Sequence, residues 1–246
     1  MRKALLLSGA ALMIAGTMCL PAQAGVIVVD STVGGAPTGA IRENFDSVGA
    51  AASSGGQTLS SGITLMLTPD AAVVTGNSGG VYAAPFLSGG NGAGFGAGGT
   101  TQADGVDTTR YLTTGSTSAN ANSRITFTLP SLQGYLGLLW GSVDLYNTLT
   151  FYAGNSLIGS ITGGDVQANA TGDQGLNGTR YVNINATGGT LFDRVVATSS
   201  SFAFEIDNVA FQVTPVSVPE PASIALFGIG LAGLSMVRRR RSRQAA

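Results

Sequence analysis

The sequence predicts an all-β body, an antiparallel β-sandwich of jelly-roll type, and three observations predict it. Ile125, Phe127 and Leu129 alternate with Arg124, Thr126 and Thr128, the period-two signature of a strand with one buried face. Ten or more such short runs are separated by turn chemistry, among it Gly154-Asn155, Gly163-Gly164, Asn177-Gly178 and Gly188-Gly189. No stretch of the body shows a sustained helical period. Short strands with glycine-rich turns close into two packed sheets.

Composition narrows the functional classes. Glycine accounts for 37 of 246 residues, about twice the usual ~7 %. Charged residues make up only 10 %, too few to hold a disordered chain open by self-repulsion. Histidine is absent, which removes Ser-His-Asp hydrolases, Cys-His proteases and histidine-based zinc sites together. Residues 25–218 hold five arginines against twelve acids, a net charge of −7, between two basic ends. Such an acidic body repels nucleic acid, so no nucleic-acid partner is expected.

From the N-terminus, Arg2-Lys3 precede an apolar run, Ala4–Leu20, and Pro21-Ala22-Gln23-Ala24 offers small residues for cleavage between Ala24 and Gly25. This is the pattern of a secretory signal peptide, 1–24, implying the Sec machinery and signal peptidase as partners. Cleavage would remove Cys19, the single cysteine, leaving neither disulfides nor thiol chemistry.

The predicted ectodomain, 25–217, carries strands at Val26–Val29, Ile63–Leu67, Ala71–Thr75, Arg110–Thr113, Arg124–Leu129 and Tyr135–Trp140. Further strands are predicted at Thr148–Phe151, Ser156–Ile161, Tyr181–Asn185, Arg194–Thr198 and from Ser201 to Val213. Residues 76–100 contain ten glycines in 25 positions, a composition that predicts a long mobile surface loop. Asp104-Gly105-Val106-Asp107 resembles half a calcium loop, but lacks the D-x-D-x-D-G spacing and reads better as a hydrated turn.

Two places carry candidate ligand chemistry. Around the aromatic-rich run 138–152, Trp140 and Tyr146 could stack on a sugar ring, with Asp144 and Asn147 supplying polar contacts. The same residues also fit a core tryptophan and a turn held by Asp144 and Asn147. In the closing strand, Phe202, Phe204 and Ile206 take even positions but Val209, Phe211 and Val213 odd ones. A one-residue shift exchanges faces, so a bulge at Asp207-Asn208 is predicted. Either this is an Asx-stabilised kink, or Glu205, Asp207 and Asn208 lie beside a Ca²⁺, the one cofactor the sequence would suit.

At the C-terminus, Val218-Pro219-Glu220-Pro221 is followed by the apolar run 222–237 and then Arg238-Arg239-Arg240-Arg241 within the basic tail 238–246. Sixteen helical residues span about 24 Å, short for a ~30 Å hydrocarbon core unless flanking arginines snorkel. The arginine block should stay cytoplasmic and act as the membrane stop. This tripartite tail, 218–246, resembles the PEP-CTERM sorting signal of Gram-negative bacteria. The resemblance implies an exosortase as partner, a transient inner-membrane intermediate, and a destination at the cell surface or in the extracellular matrix. It also implies company with exopolysaccharide and biofilm. Residues 135–213, above all the run Trp140-Gly141-Ser142-Val143-Asp144-Leu145-Tyr146-Asn147-Thr148, are similar to a family of exosortase-dependent surface proteins. The closing F-E-x-D-N segment is also similar to that of galactose-binding-like sandwiches.

The expected function is thus a non-enzymatic, exported surface protein associated with extracellular polysaccharide. The alternatives are a Ca²⁺-assisted carbohydrate-binding module and a glycosidase working through two carboxylates, the only acid–base route left without His, Cys or Lys in the body. No catalytic residue is singled out by spacing.

Overall fold

The computed structural model describes residues 34–49, 56–117 and 121–213, together with the backbone of 27–30. The signal segment with Ala24 and Gly25, the motif Val218, Pro219, Glu220 and Pro221, the apolar run 222–237 and the arginine block lie outside the described residues.

Fifteen strands follow one another: β1 (Ile27–Asp30), β2 (Ile41–Glu43), β3 (Gln57–Thr58), β4 (Thr64–Thr68), β5 (Ala72–Val74), β6 (Phe86–Leu87), β7 (Gly105–Val106) and β8 (Tyr111–Thr113). Then come β9 (Arg124–Gln133), β10 (Tyr135–Gly141), β11 (Asn147–Ala153), β12 (Ser156–Thr162), β13 (Arg180–Ala186), β14 (Phe192–Ser199) and β15 (Glu205–Gln212). One sheet has the order β1-β13-β10-β15-β8-β5, with β2 also paired to β15; the other runs β12-β11-β14-β9-β4-β3. All the pairings are antiparallel. The eight strands β8 to β15 stack as β13-β10-β15-β8 over β12-β11-β14-β9, changing sheet at each step except the β11–β12 hairpin, which is the jelly-roll order.

The core lies where alternation places it. Ile125, Phe127 and Leu129 of β9, Leu149 and Phe151 of β11, and Val195 and Ala197 of β14 meet Leu136, Leu138 and Trp140 of β10, and Val182 and Ile184 of β13. The second sheet is amphipathic: β11 buries every other residue, while Met66 and Thr128 face solvent. The central strands of the first sheet, β10 and β15, are buried on both faces, with every residue of β10 buried.

The expected parity switch is present. Asn208 adopts a left-handed φ of 50°, and the β10–β15 register shifts between Gly137 and Leu139, which marks a bulge. Phe204, Ile206, Val209 and Phe211 consequently all reach the same core. The strand itself starts at Glu205 rather than Ser201, and Phe202 and Val213 stay outside the core.

The outer face of the first sheet is covered by the segment expected to be a mobile loop. Residues 76–109 form consecutive tight turns and a small β6–β7 hairpin, and bury Ala83, Ala84, Leu87 and Phe95. Leu87 and Phe95 join Tyr135, Leu139, Tyr181 and Ala210 in a second, smaller cluster. Phe95 is 2 % exposed, with its ring 6.2 Å from Tyr181 and the Arg42 guanidinium 5.7 Å above it. Glycine is needed here for close approach: at Gly94, with φ +81°, a Cβ would stand 2.8 Å from Arg42 Nε. The composition that suggested mobility therefore serves a thin, ordered cover.

Candidate functional site

At the head of β15, the connection after β10, the turn 80–82 and the loop 171–174 surround a hollow of about 190 Å³. Its polar lining comes from Tyr82, Ser142, Asp144, Tyr146, Gln174 and Glu205. Ser142, with φ +42°, turns the chain out of β10. Gly172 lies so close to Asp144 that a Cβ there would stand 2.7 Å from its Oδ1, and its φ of +69° also favours glycine. Gly172 N donates to Val143 O at 3.0 Å, which ties the 171–174 loop to the same connection.

Two carboxyls face this hollow in different environments. Asp144 is half-buried, and burial raises its pKa above the ordinary carboxylate range, with the Tyr146 hydroxyl beside it working in the opposite direction. Glu205 is 2 % exposed, and burial pushes it up to about 8, the backbone N–H of Ala83 lowering it and the Asp144 charge raising it further. Its Oε1 accepts that Ala83 N–H at 3.0 Å, so Glu205 holds the cover as well as facing the hollow. A carboxyl with that pKa is mostly protonated at neutral pH and can donate a hydrogen bond. Tyr146 donates its hydroxyl to Phe202 O at 2.5 Å.

The four residues expected to contact a sugar divide into two pairs. Asp144 and Tyr146 line the hollow. Trp140 does not: it is wholly buried, its ring centroid 4.2 Å from that of Phe204, and presents no face to a ligand. Asn147 is also buried, donating Nδ2 to Ala203 O at 3.1 Å and thereby fixing the entry to β15. The physical reason is strand parity, since Trp140 shares the inward face with Leu136 and Leu138.

Of the three residues expected to surround a cation, Glu205 parts from the other two. Glu205 turns to Ala83 and the hollow, whereas Asp207 faces Asp107 and Asn208 donates to Gln102 Oε1 at 2.6 Å. Among the described residues no group of three or more His, Cys, Asp or Glu side chains is arranged to hold a metal ion. Asp107 lies in no hydrated turn, being only 1 % exposed beneath the cover. Ser142, Gln174, Gln102 and Glu205's bond to Ala83 carry no periodic or motif signal in the sequence. The parity change at 207–208 and the polar residues of the aromatic-rich run, Asp144 and Tyr146, marked this neighbourhood.

Among the described residues no helix is long and apolar enough to cross a membrane. Residues 217–241 match the family model described as the PEP-CTERM protein-sorting motif. The chain thus carries the sorting signal of an exported protein that an exosortase processes. No curated protein matches the chain.

Proposed function

We propose that this exosortase-sorted, exported protein is a non-enzymatic component of the cell-surface polysaccharide matrix, and that its sandwich contacts saccharide through the hollow at Asp144 and Tyr146. The sorting motif at 217–241 is the observation that carries the surface placement. The saccharide contact is supported by the hollow's inventory. The half-buried Asp144 carboxyl and the Gln174 amide suit the paired donors and acceptors of sugar hydroxyls, with Glu205 closing the floor of the hollow. With Trp140 in the core, binding rests on polar contacts, with Tyr82 and Tyr146 as the rings at hand.

The same geometry supports a binding role over hydrolysis. Glu205 would be the acid of a two-carboxylate mechanism, but its carboxyl is buried and bonded to Ala83 N–H instead of being offered to a glycosidic oxygen. The test is retention of the purified protein on exopolysaccharide from a producing bacterium, with reducing-end release measured in parallel. Wild type should be retained without releasing sugar, and Asp144→Asn with Tyr146→Phe should be retained at least tenfold less. Equal retention of the double variant would contradict the assignment of the hollow. Sugar release abolished by Glu205→Gln would contradict the non-enzymatic reading.

A further inference from the structure

Between the cover and the first sheet lies a polar cluster whose buried oxygens outnumber their protein hydrogen-bond partners. Asp207 is wholly buried, and neither carboxyl oxygen makes a well-formed hydrogen bond within the protein, although the Asn208 N–H lies close enough to favour its charged form. Asp107 comes down from the cover to meet it, the two carboxyls within hydrogen-bonding reach of each other. Oδ2 of Asp107 and Oδ1 of the wholly buried Asn208 are likewise without partners. Buried carboxylates persist when they are paired or coordinate a metal.

A chain of hydrogen bonds fixes these oxygens. Asn208 Nδ2 donates to Gln102 Oε1 at 2.6 Å, and Gln102 Nε2 donates to Thr109 Oγ1 at 3.2 Å. Thr109 N and Oγ1 both donate to Asp107 Oδ1, at 2.8 and 2.6 Å, so only the other oxygen of that carboxyl remains open. The bulge places Asp207 and Asn208 next to each other under the cover. The nearby arginines are directed elsewhere, Arg42 to the carbonyls of Ala36, Pro37 and Ala40 and Arg110 to that of Asp46. The further charge that Asp207 feels, from Asp46, is negative as well.

From this arrangement we infer that Asp107, Asp207 and the amide oxygen of Asn208 form a site for one hard divalent cation of the Ca²⁺ class, which fastens the cover to the sheet. The donor set is two carboxylates and an amide oxygen rather than a triad of acids, and all of it is oxygen, as such cations require. Two carboxylates balance the charge of one divalent ion. A hollow of about 300 Å³, lined in part by Gln102, Asp104, Asp107 and Thr109, borders the cluster on its Asp107 side. The competing arrangement is one proton shared between the two carboxyls, which needs no metal.

The two are separated by stripping the full-length protein with EDTA, removing the chelator and returning Ca²⁺ alone. Elemental analysis after gel filtration should find one Ca²⁺ per chain. At a hundredfold excess over Kd, the protein should melt roughly 5–10 °C higher than in EDTA. Asp207→Asn and Asp107→Asn should each abolish that increment, while Asp193→Asn, which alters a carboxyl elsewhere that accepts Gly154 N, should keep it. Wild-type protein that holds no calcium and melts identically in both buffers overturns the inference and leaves the shared proton. An increment that survives in both Asp107→Asn and Asp207→Asn overturns it too. Because stoichiometry is read on the wild type, a variant that fails to fold does not protect the inference.

Discussion

The two faces of the first sheet are built on opposite principles. Its inner face meets the second sheet through Leu136, Leu138, Trp140, Val182, Ile184, Ile206, Val209 and Phe211, all fully buried and all apolar. Its outer face lies under a glycine-rich cover and mixes Tyr135, Leu139 and Tyr181 with Glu205, Asp207 and Asn208. The inner face follows from alternation and holds the fold together by excluding water. The outer face gathers the strained, polar and titrating groups, and both the hollow and the carboxyl pair lie there. Stability and specific chemistry are thus placed back to back on the same strands, β10 and β15.

The sharpest way to break this comparison is to damage each face in turn. Trp140→Ala on the inner face should cost about 3–5 kcal/mol, the range for deleting a large buried aromatic side chain. Chemical denaturation should show the whole domain shifting as one transition. Phe95→Ala on the outer side should cost less, about 2–3 kcal/mol, because the cover is one layer thick and can collapse onto the gap. Amide exchange should then accelerate in 76–109 while β9, β10 and β11 stay protected. Equal acceleration in both regions would mean that cover and sandwich unfold as a single unit.

Titration distinguishes the faces as well. Unfolded Glu205 ionises near 4.5, the ordinary glutamate value, and burial moves folded Glu205 to about 8. Between those values the folded state holds the extra proton, so this contribution is fully present below pH 4.5 and lost as pH rises to about 8. Asp144, Tyr82, Tyr111 and Tyr146 are the titratable groups around it. In EDTA, wild-type stability should fall by up to about 1 kcal/mol per pH unit across this window, and Glu205→Gln should flatten the curve. An unchanged slope in that variant would show that Glu205 is not the group responsible. The smallest effect belongs to the second sheet's edge: Leu157→Ala, at a side chain 65 % exposed, should stay within about 0.5 kcal/mol.

The legibility of the sequence follows the same division. Strands β4, β5 and β8 to β14 fall where alternation predicts them, and even the bulge shows as a change of parity between Ile206 and Val209. Strands β3, β6 and β7 are only two residues long, too short to display a period, and β2 is defined by its pairing with β15, distant in the chain. The cover is illegible for a related reason. Its glycines answer to contacts such as Gly94 against Arg42, which composition cannot distinguish from flexibility. Trp140 shows the limit for the site: an aromatic beside Asp144 and Tyr146 in sequence faces the opposite side of the sheet. Asp107 and Asp207 stand one hundred residues apart, so only the fold brings them together.

The central claim is that this acidic sandwich is exported, sorted by an exosortase and released from its C-terminal tail into the surface matrix. It is tested most directly by fractionating cells that express wild type or Glu220→Ala, followed by mass spectrometry of the C-terminus in each fraction. Wild type should appear at the surface without Arg238–Arg241, and the variant should remain in the inner membrane with the arginine block attached. A Glu220→Ala protein that reaches the surface with its tail removed would contradict the account.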